Sequence, residues 1–170
     1  MYKILSILGL GFCLLSSAAK AADAPQVLGT FGDWTAYYYQ EGQNPVCYMV
    51  ASPRKEEGKY GRRGDVYAFV THRPADKAFG MVNFVAGYNY KPNSNVVVKI
   101  GSVTVKNTFV DGDKAWSMSS KTDEELVAAM KKYDKMIVHG TSSKGNDTKD
   151  TYSLSGFSKA YRVISAKCKK

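Results

Sequence analysis

The side chains that could carry chemistry are few. His72 and His139 come first, because imidazole can act as acid, base or metal ligand near neutral pH. Each stands alone in its segment, and neither a His-Glu-x-x-His nor a Gly-x-Ser-x-Gly pattern occurs. A zinc site needs three or four His, Cys, Asp or Glu ligands, and two scattered histidines do not supply them. Both read as strand-end or core residues, and no metal or cofactor is expected. Cys47 as a nucleophile would need a base brought to it by folding. Asp111-Gly112-Asp113 lacks the further ligands and closing Glu of a calcium loop and reads as a hairpin turn. Gly140-Thr141-Ser142-Ser143-Lys144-Gly145 has its Lys before the second Gly, the reverse of a phosphate-binding loop, and reads as a solvated turn.

Two basic features remain. Arg63-Gly64-Asp65 spells the tripeptide that some ligands present to integrins, a motif too short to carry a function by itself. The loop from Arg54 to Arg63 gathers the cations Arg54, Lys55, Lys59, Arg62 and Arg63 around Glu56, Glu57 and Tyr60. Such a loop is a candidate contact for an anionic membrane or an acidic glycan. A mixture of arginine and aromatic residues also suits nucleic acid, but an exported protein does not ordinarily meet it, so none is expected as a partner.

The elements that would position these residues are mostly short strands. Trp34–Tyr39, Val46–Val50, Asp65–His72 and Phe79–Tyr88 are rich in aromatic and β-branched residues and are separated by turn formers. Val96–Ile100 with Val103–Val105, and Thr108–Val110 with Lys114–Ser117, read as two hairpins, and Met136–His139 with Thr151–Leu154 as two more strands. Pro53 to Gly64 reads as a polar loop. Thr122 and Glu125 have capping-box spacing ahead of a short helix carrying Leu126, Met130 and Tyr133. Phe157, Tyr161, Ile164 and Cys168 mark one face of a second helix. This pattern predicts an antiparallel sandwich or barrel with two short peripheral helices, with Trp34 and Trp116 in its core.

The chain has 170 residues, with 24 Lys and Arg against 15 Asp and Glu, a net charge of +9. That length predicts one domain. Met1-Tyr2-Lys3, the apolar run Ile4–Leu15 and the Ala19-Lys20-Ala21 site read as a secretory leader over residues 1–21, cut after Ala21. A retained anchor, or lipidation at Cys13, are the alternatives. The apolar run is short for a membrane span, and bulky Phe12 suits lipidation poorly. Cleavage would remove Lys3 and Lys20 but no acid, leaving a domain over 22–170 with net +7. Only Cys47 and Cys168 would then remain, and two cysteines in an exported chain are most simply one disulfide. In the chain-entropy picture, closing so long a loop is worth about 4–5 kcal/mol.

Gly32-Asp33-Trp34, Val46-Cys47-Tyr48, Phe69 to Pro74, and Gly140 to Gly145 continuing through Asp150 to Phe157 together resemble the invasion-associated locus B family. The resemblance implies an immunoglobulin-like antiparallel β-sandwich, exported by a Gram-negative and mainly alphaproteobacterial lineage to the periplasm or cell surface. It also implies a link to host-cell entry. It brings no reaction, cofactor or catalytic residue. Family members often carry a further cysteine shortly after Gly-Asp-Trp, where this chain has Tyr37-Tyr38-Tyr39, so the Cys47–Cys168 pairing rests on cysteine count alone. The expectation is a non-catalytic envelope protein acting by surface contacts with a host-cell or envelope component. The basic loop and Tyr37–Tyr39 are the candidate contacts. An envelope enzyme or small-ligand binder, with a pocket near His72 or His139, is the alternative.

Overall fold

The computed structural model describes residues 24–106 and 108–169. The leader expected over residues 1–21, with Cys13, lies outside them. In chain order the strands are β1 (Gln26–Phe31), β2 (Trp34–Glu41), β3 (Asn44–Ala51), β4 (Lys55–Gly58), β5 (Tyr67–Arg73), β6 (Ala78–Val85), β7 (Val97–Ile100), β8 (Val103–Val105), β9 (Thr108–Asp111) and β10 (Lys114–Ser117). Helix α1 (Ser120–Lys132), strands β11 (Lys135–Thr141) and β12 (Asp147–Ser153), and helix α2 (Phe157–Lys167) complete the chain. All pairings are antiparallel. One sheet runs β1-β2-β3-β5-β6-β10-β9 and the other β4-β12-β11-β7-β8.

Alternation along the strands builds the sandwich. On the long sheet Trp34, Ala36, Cys47, Met49, Ala68, Val70, Val82, Phe84 and Ala115 are fully or almost fully buried. The short sheet contributes Val98, Ile100, Met136, Val138 and Tyr152 to the same core. The two helices cover the part of the long sheet that the short sheet leaves open: α1 packs on β6, and α2 on β1, β2 and β3. Their buried side chains, Leu126, Met130, Phe157, Ala160 and Ile164, extend the core to that end. Cys168, just past α2, is bonded to Cys47 of β3 with Cα atoms 6.0 Å apart, so the chain end is stapled to the sheet.

The motif residues of the two ends of the domain meet here. Trp34 Nε1 donates to the Ser153 carbonyl, 3.1 Å away, and its ring sits edge-on to Phe157 at 5.0 Å. Asp33 N donates to the Ser155 carbonyl, 3.1 Å. Gly156 has a φ of 85°, and a side-chain carbon there would run into the backbone carbonyl of Phe31. Only glycine satisfies both demands.

Several expectations shift. β1 and β4 are strands that the residue pattern does not announce. Helix α1 is capped by Ser119, whose Oγ accepts from Thr122 N, so Thr122 lies inside the first turn and the Thr122 capping box is not formed. The fourth expected strand ends at Val85 rather than Tyr88. Trp116 is not in the core: its neighbour Ala115 takes the buried position, and Trp116 is half-buried on the opposite face.

Candidate functional site

His72 is completely buried on β5. Gly80 N donates to its Nδ1 at 2.8 Å, and its Nε2 is bonded to Ser165 Oγ at 3.0 Å. With Nδ1 accepting, the ring proton sits on Nε2 and is donated to the serine. The imidazole is thus a rivet between β5, β6 and α2, a structural use. His139 lies on the other sheet, half-buried, where burial and then Lys99 and Lys149 hold its pKa below the ordinary value. Cys47 has no free thiol. Among the described residues no three His, Cys, Asp or Glu lie close enough together to hold a metal ion.

The basic loop is largely neutralised. Arg54 reaches Asp33 through Nε and Nη2, both at 2.9 Å, and Lys55 pairs with Glu57 at 2.9 Å. Arg63 is an interior residue, its side chain 3% exposed. Its two terminal nitrogens donate to the two Asp150 oxygens at 2.7 and 2.6 Å, and its Nε donates to the Ala86 carbonyl at 2.7 Å. The guanidinium also lies between the rings of Tyr60 and Tyr88, 5.1 Å from each centroid. Burial works against its charge, but the bonds to Asp150 prevail and hold the pKa above the ordinary arginine value. Arg63 therefore takes no part in a surface cation patch, and Arg63-Gly64-Asp65 does not present its cation to solvent. Of the five expected contact cations, Lys59 and Arg62 alone enter no ion pair among the described residues.

The larger candidate surface is the outer face of the long sheet. Strand parity puts Tyr37 and Tyr39 of β2, Val46 and Tyr48 of β3, Phe69, Thr71 and Arg73 of β5, Met81, Asn83 and Val85 of β6, and Trp116 of β10 on this face. Register aligns them in two rows. Tyr37 faces Tyr48, which faces Thr71, which faces Met81. Beside them Val50, Phe69, Asn83, Trp116 and Phe109 face one another in turn across five strands. Tyr37 and Tyr48 stack with centroids 5.0 Å apart, Phe69 lies 6.1 Å from Tyr48, and Phe109 lies 5.8 Å from Trp116. Burial, then Tyr37 and Tyr39, push the Tyr48 hydroxyl's pKa up. A groove of about 540 Å³ crosses both rows, and its lining includes Tyr39, Phe69, Met81, Trp116, Arg73 and Lys114. Phe109, on the edge strand β9, is 56% exposed. The aromatic and aliphatic side chains of this face are mostly half-buried, with the polar Thr71 and Asn83 among them and Arg73 and Lys114 beside them. Tyr37 and Tyr39 belong to this face. Tyr38 points to the other side, under Lys167, whose Nζ is 4.4 Å from the ring centroid.

Sequence reasoning reached only the Tyr37 and Tyr39 corner of this face, because its members come from six strands, each contributing one to three unremarkable residues. The signal was the parity of Tyr37, Tyr39, Phe69, Met81 and Trp116 relative to the core positions. Neither His72 nor His139 lines the groove.

Comparison with known proteins fits this architecture. The model of the family described as "Invasion associated locus B (IalB) protein" matches residues 34–165. Among solved structures, the crystal structure of invasion associated protein b from Bartonella henselae superposes with a TM-score of 0.60 at 19% identity, covering 87% of this chain and 100% of that one. At that identity the likeness concerns the fold, the antiparallel sandwich with its two helices. A comparison with curated proteins finds no match.

Proposed function

Because the chain belongs to the invasion associated locus B family, we propose that it is an exported, non-catalytic envelope protein that works by surface contact and supports entry into host cells. The observation that carries this reading is the aromatic groove on the outer face of the long sheet. Its occupant is a protein surface with an apolar centre and an acidic rim. The apolar centre would cover Phe69 and Met81, and the acids would meet Lys114. Arg73 already reaches Glu41, so Lys114 is the cation left to a partner. Export through a cleaved leader is part of the same reading, and it is supported by a disulfide between the two cysteines of the domain.

The test is genetic. A strain lacking the protein is complemented with the wild type or with Met81→Glu, which puts a charge into the groove without touching the core. Both proteins are exported at matched levels, and host-cell entry is counted. The reading predicts reduced entry in the deletion strain, rescue by the wild type and no rescue by Met81→Glu. Full rescue by Met81→Glu would remove the groove from the account, and undiminished entry in the deletion strain would remove the invasion role.

A further inference from the structure

The basic loop and the Gly140–Gly145 segment, which reads as a plain turn in the sequence, both line a second cleft that shares no lining residue with the aromatic groove. The β4–β5 loop carries Arg62, and the β11–β12 loop, Ser142 to Asn146, carries Lys144. They are held together by backbone bonds to the β6–β7 segment. Gly64 N donates to the Gly87 carbonyl at 2.8 Å, Ser143 N to the Asn89 carbonyl at 2.8 Å, and Lys91 N to the Thr141 carbonyl at 2.9 Å. The second loop is closed on itself by Gly145 N to the Ser142 carbonyl at 2.8 Å and by Asn146 N to Ser142 Oγ at 3.1 Å. Arg63, gripped by Asp150, Tyr60 and Tyr88, pins the first loop.

The cleft so framed has a volume of about 340 Å³, at the small end of the range for small-ligand sites. It is lined by Arg62 and Lys144 and by no carboxylate. Neither cation enters an ion pair among the described residues. The nearby acid Asp150 is committed to Arg63. Two positive charges outside any ion pair, brought to one concave site, concentrate positive potential there. The other lining residues include Asn89, Asn146, Ser143, Thr148, Tyr60 and Tyr88, which bring amides, hydroxyls and aromatic rings. That set matches a hydroxyl-bearing ring as well as an anion. Because the loops are already tied together, little ordering entropy opposes binding.

We propose that this cleft binds an acidic sugar unit, a saccharide ring bearing a carboxylate, sulfate or phosphate. Arg62 and Lys144 would hold the anion, while Asn89, Asn146 and Ser143 would bond the ring hydroxyls. This goes beyond the contact role of the aromatic face, and either site can fail without the other.

The experiment titrates the folded mature protein at low salt with a sulfated uronate disaccharide, a neutral disaccharide, inorganic phosphate and anionic phospholipid vesicles, read by calorimetry and by NMR shifts of the loop amides. The proposal expects binding of the sulfated disaccharide with shifts at residues 60–62, 89 and 143–146, and its weakening as salt rises. Arg62→Ala/Lys144→Ala, both exposed positions, should weaken it at least about tenfold through loss of two charge-assisted contacts. Lys106→Ala/Lys121→Ala, which removes the same charge elsewhere, should not. No binding of the sulfated disaccharide, or equal loss in both double variants, would overturn the proposal. Inorganic phosphate binding as tightly as the disaccharide would overturn the sugar assignment. Vesicle binding abolished by Arg62→Ala/Lys144→Ala, without disaccharide binding, would replace it with a membrane contact.

Discussion

Arg63→Ala is the perturbation whose size can be worked most directly from the structure. The wild-type guanidinium, 3% exposed, gives two bonds to an Asp150 side chain that is itself 6% exposed, one to Glu56 at 3.3 Å and one to the Ala86 carbonyl. Truncation leaves the Asp150 carboxylate in the interior without its cation, and removing one member of a buried pair costs about 3–5 kcal/mol. The lost stacking between Tyr60 and Tyr88 acts in the same direction. For a domain of this size each kcal/mol lowers the melting temperature by about 2–4 °C, so a fall of about 6–20 °C is expected. Urea unfolding and thermal circular dichroism on purified wild type and variant measure it. Arg63→Lys should lie between them, since an ammonium keeps the charge but cannot form the fork or stack as a plane. Arg63→Ala/Asp150→Ala should cost less than the two single losses added together, because no orphaned charge remains. An Arg63→Ala protein within about 0.5 kcal/mol of wild type would behave like a surface substitution and refute the interior assignment.

Three further outcomes follow. Cys47→Ala/Cys168→Ala should lose about 2–4 kcal/mol in urea, most of it from a freer unfolded chain, and free-thiol titration of the wild type should find none. Asp123 Oδ1 accepts from Val82 N at 2.8 Å and Ser117 Oγ at 2.6 Å, while burial raises the carboxyl's pKa above its ordinary value. The folded state therefore binds this proton more readily than the unfolded one, and the carboxylate's contribution to stability declines as pH rises through the raised pKa. Asp123→Asn, which keeps the acceptor, should gain on the wild type above that window and lose the advantage below it. Asp123→Ala, which strands the Val82 amide, should lose about 1–3 kcal/mol, both read as unfolding free energy against pH. Gly156→Ala should destabilise by about 1–3 kcal/mol or more, since its left-handed φ is compounded by the Phe31 carbonyl, and thermal melts will show it.

The interior strands were legible because period-two alternation survives in segments such as Tyr67–Arg73, where Ala68, Val70 and His72 face inward. The edges were not. β4 is Lys-Glu-Glu-Gly, charged as an exposed edge strand tends to be, and only its register with Thr148 to Thr151 makes it a strand. β1 carries a bulge near Gly29 that breaks its alternation. At α1 two serine or threonine signals lie three residues apart, and the earlier one, Ser119, caps the helix. Trp116 looks like core by composition, yet β10 is short and can bury only one residue parity, which Ala115 fills. The cysteine count foretold the disulfide. The fate of Arg63 could not be read locally, because its partner Asp150 is 87 residues away. The Gly140–Gly145 segment reads as a plain turn for the same reason: Arg62, which lines the same cleft as Lys144, arrives from a distant loop.

The central claim is that the outer face of the long sheet meets a protein. Photo-crosslinking in the living bacterium, with a photoreactive residue placed singly at Phe69, Trp116 or, on the outer face of the other sheet, Ile137, tests it most directly. The account predicts one discrete crosslinked protein from Phe69 and Trp116, absent from Ile137 and lost when Met81→Glu is added. Equal crosslinking from all three positions, or persistence in the Met81→Glu background, would contradict it.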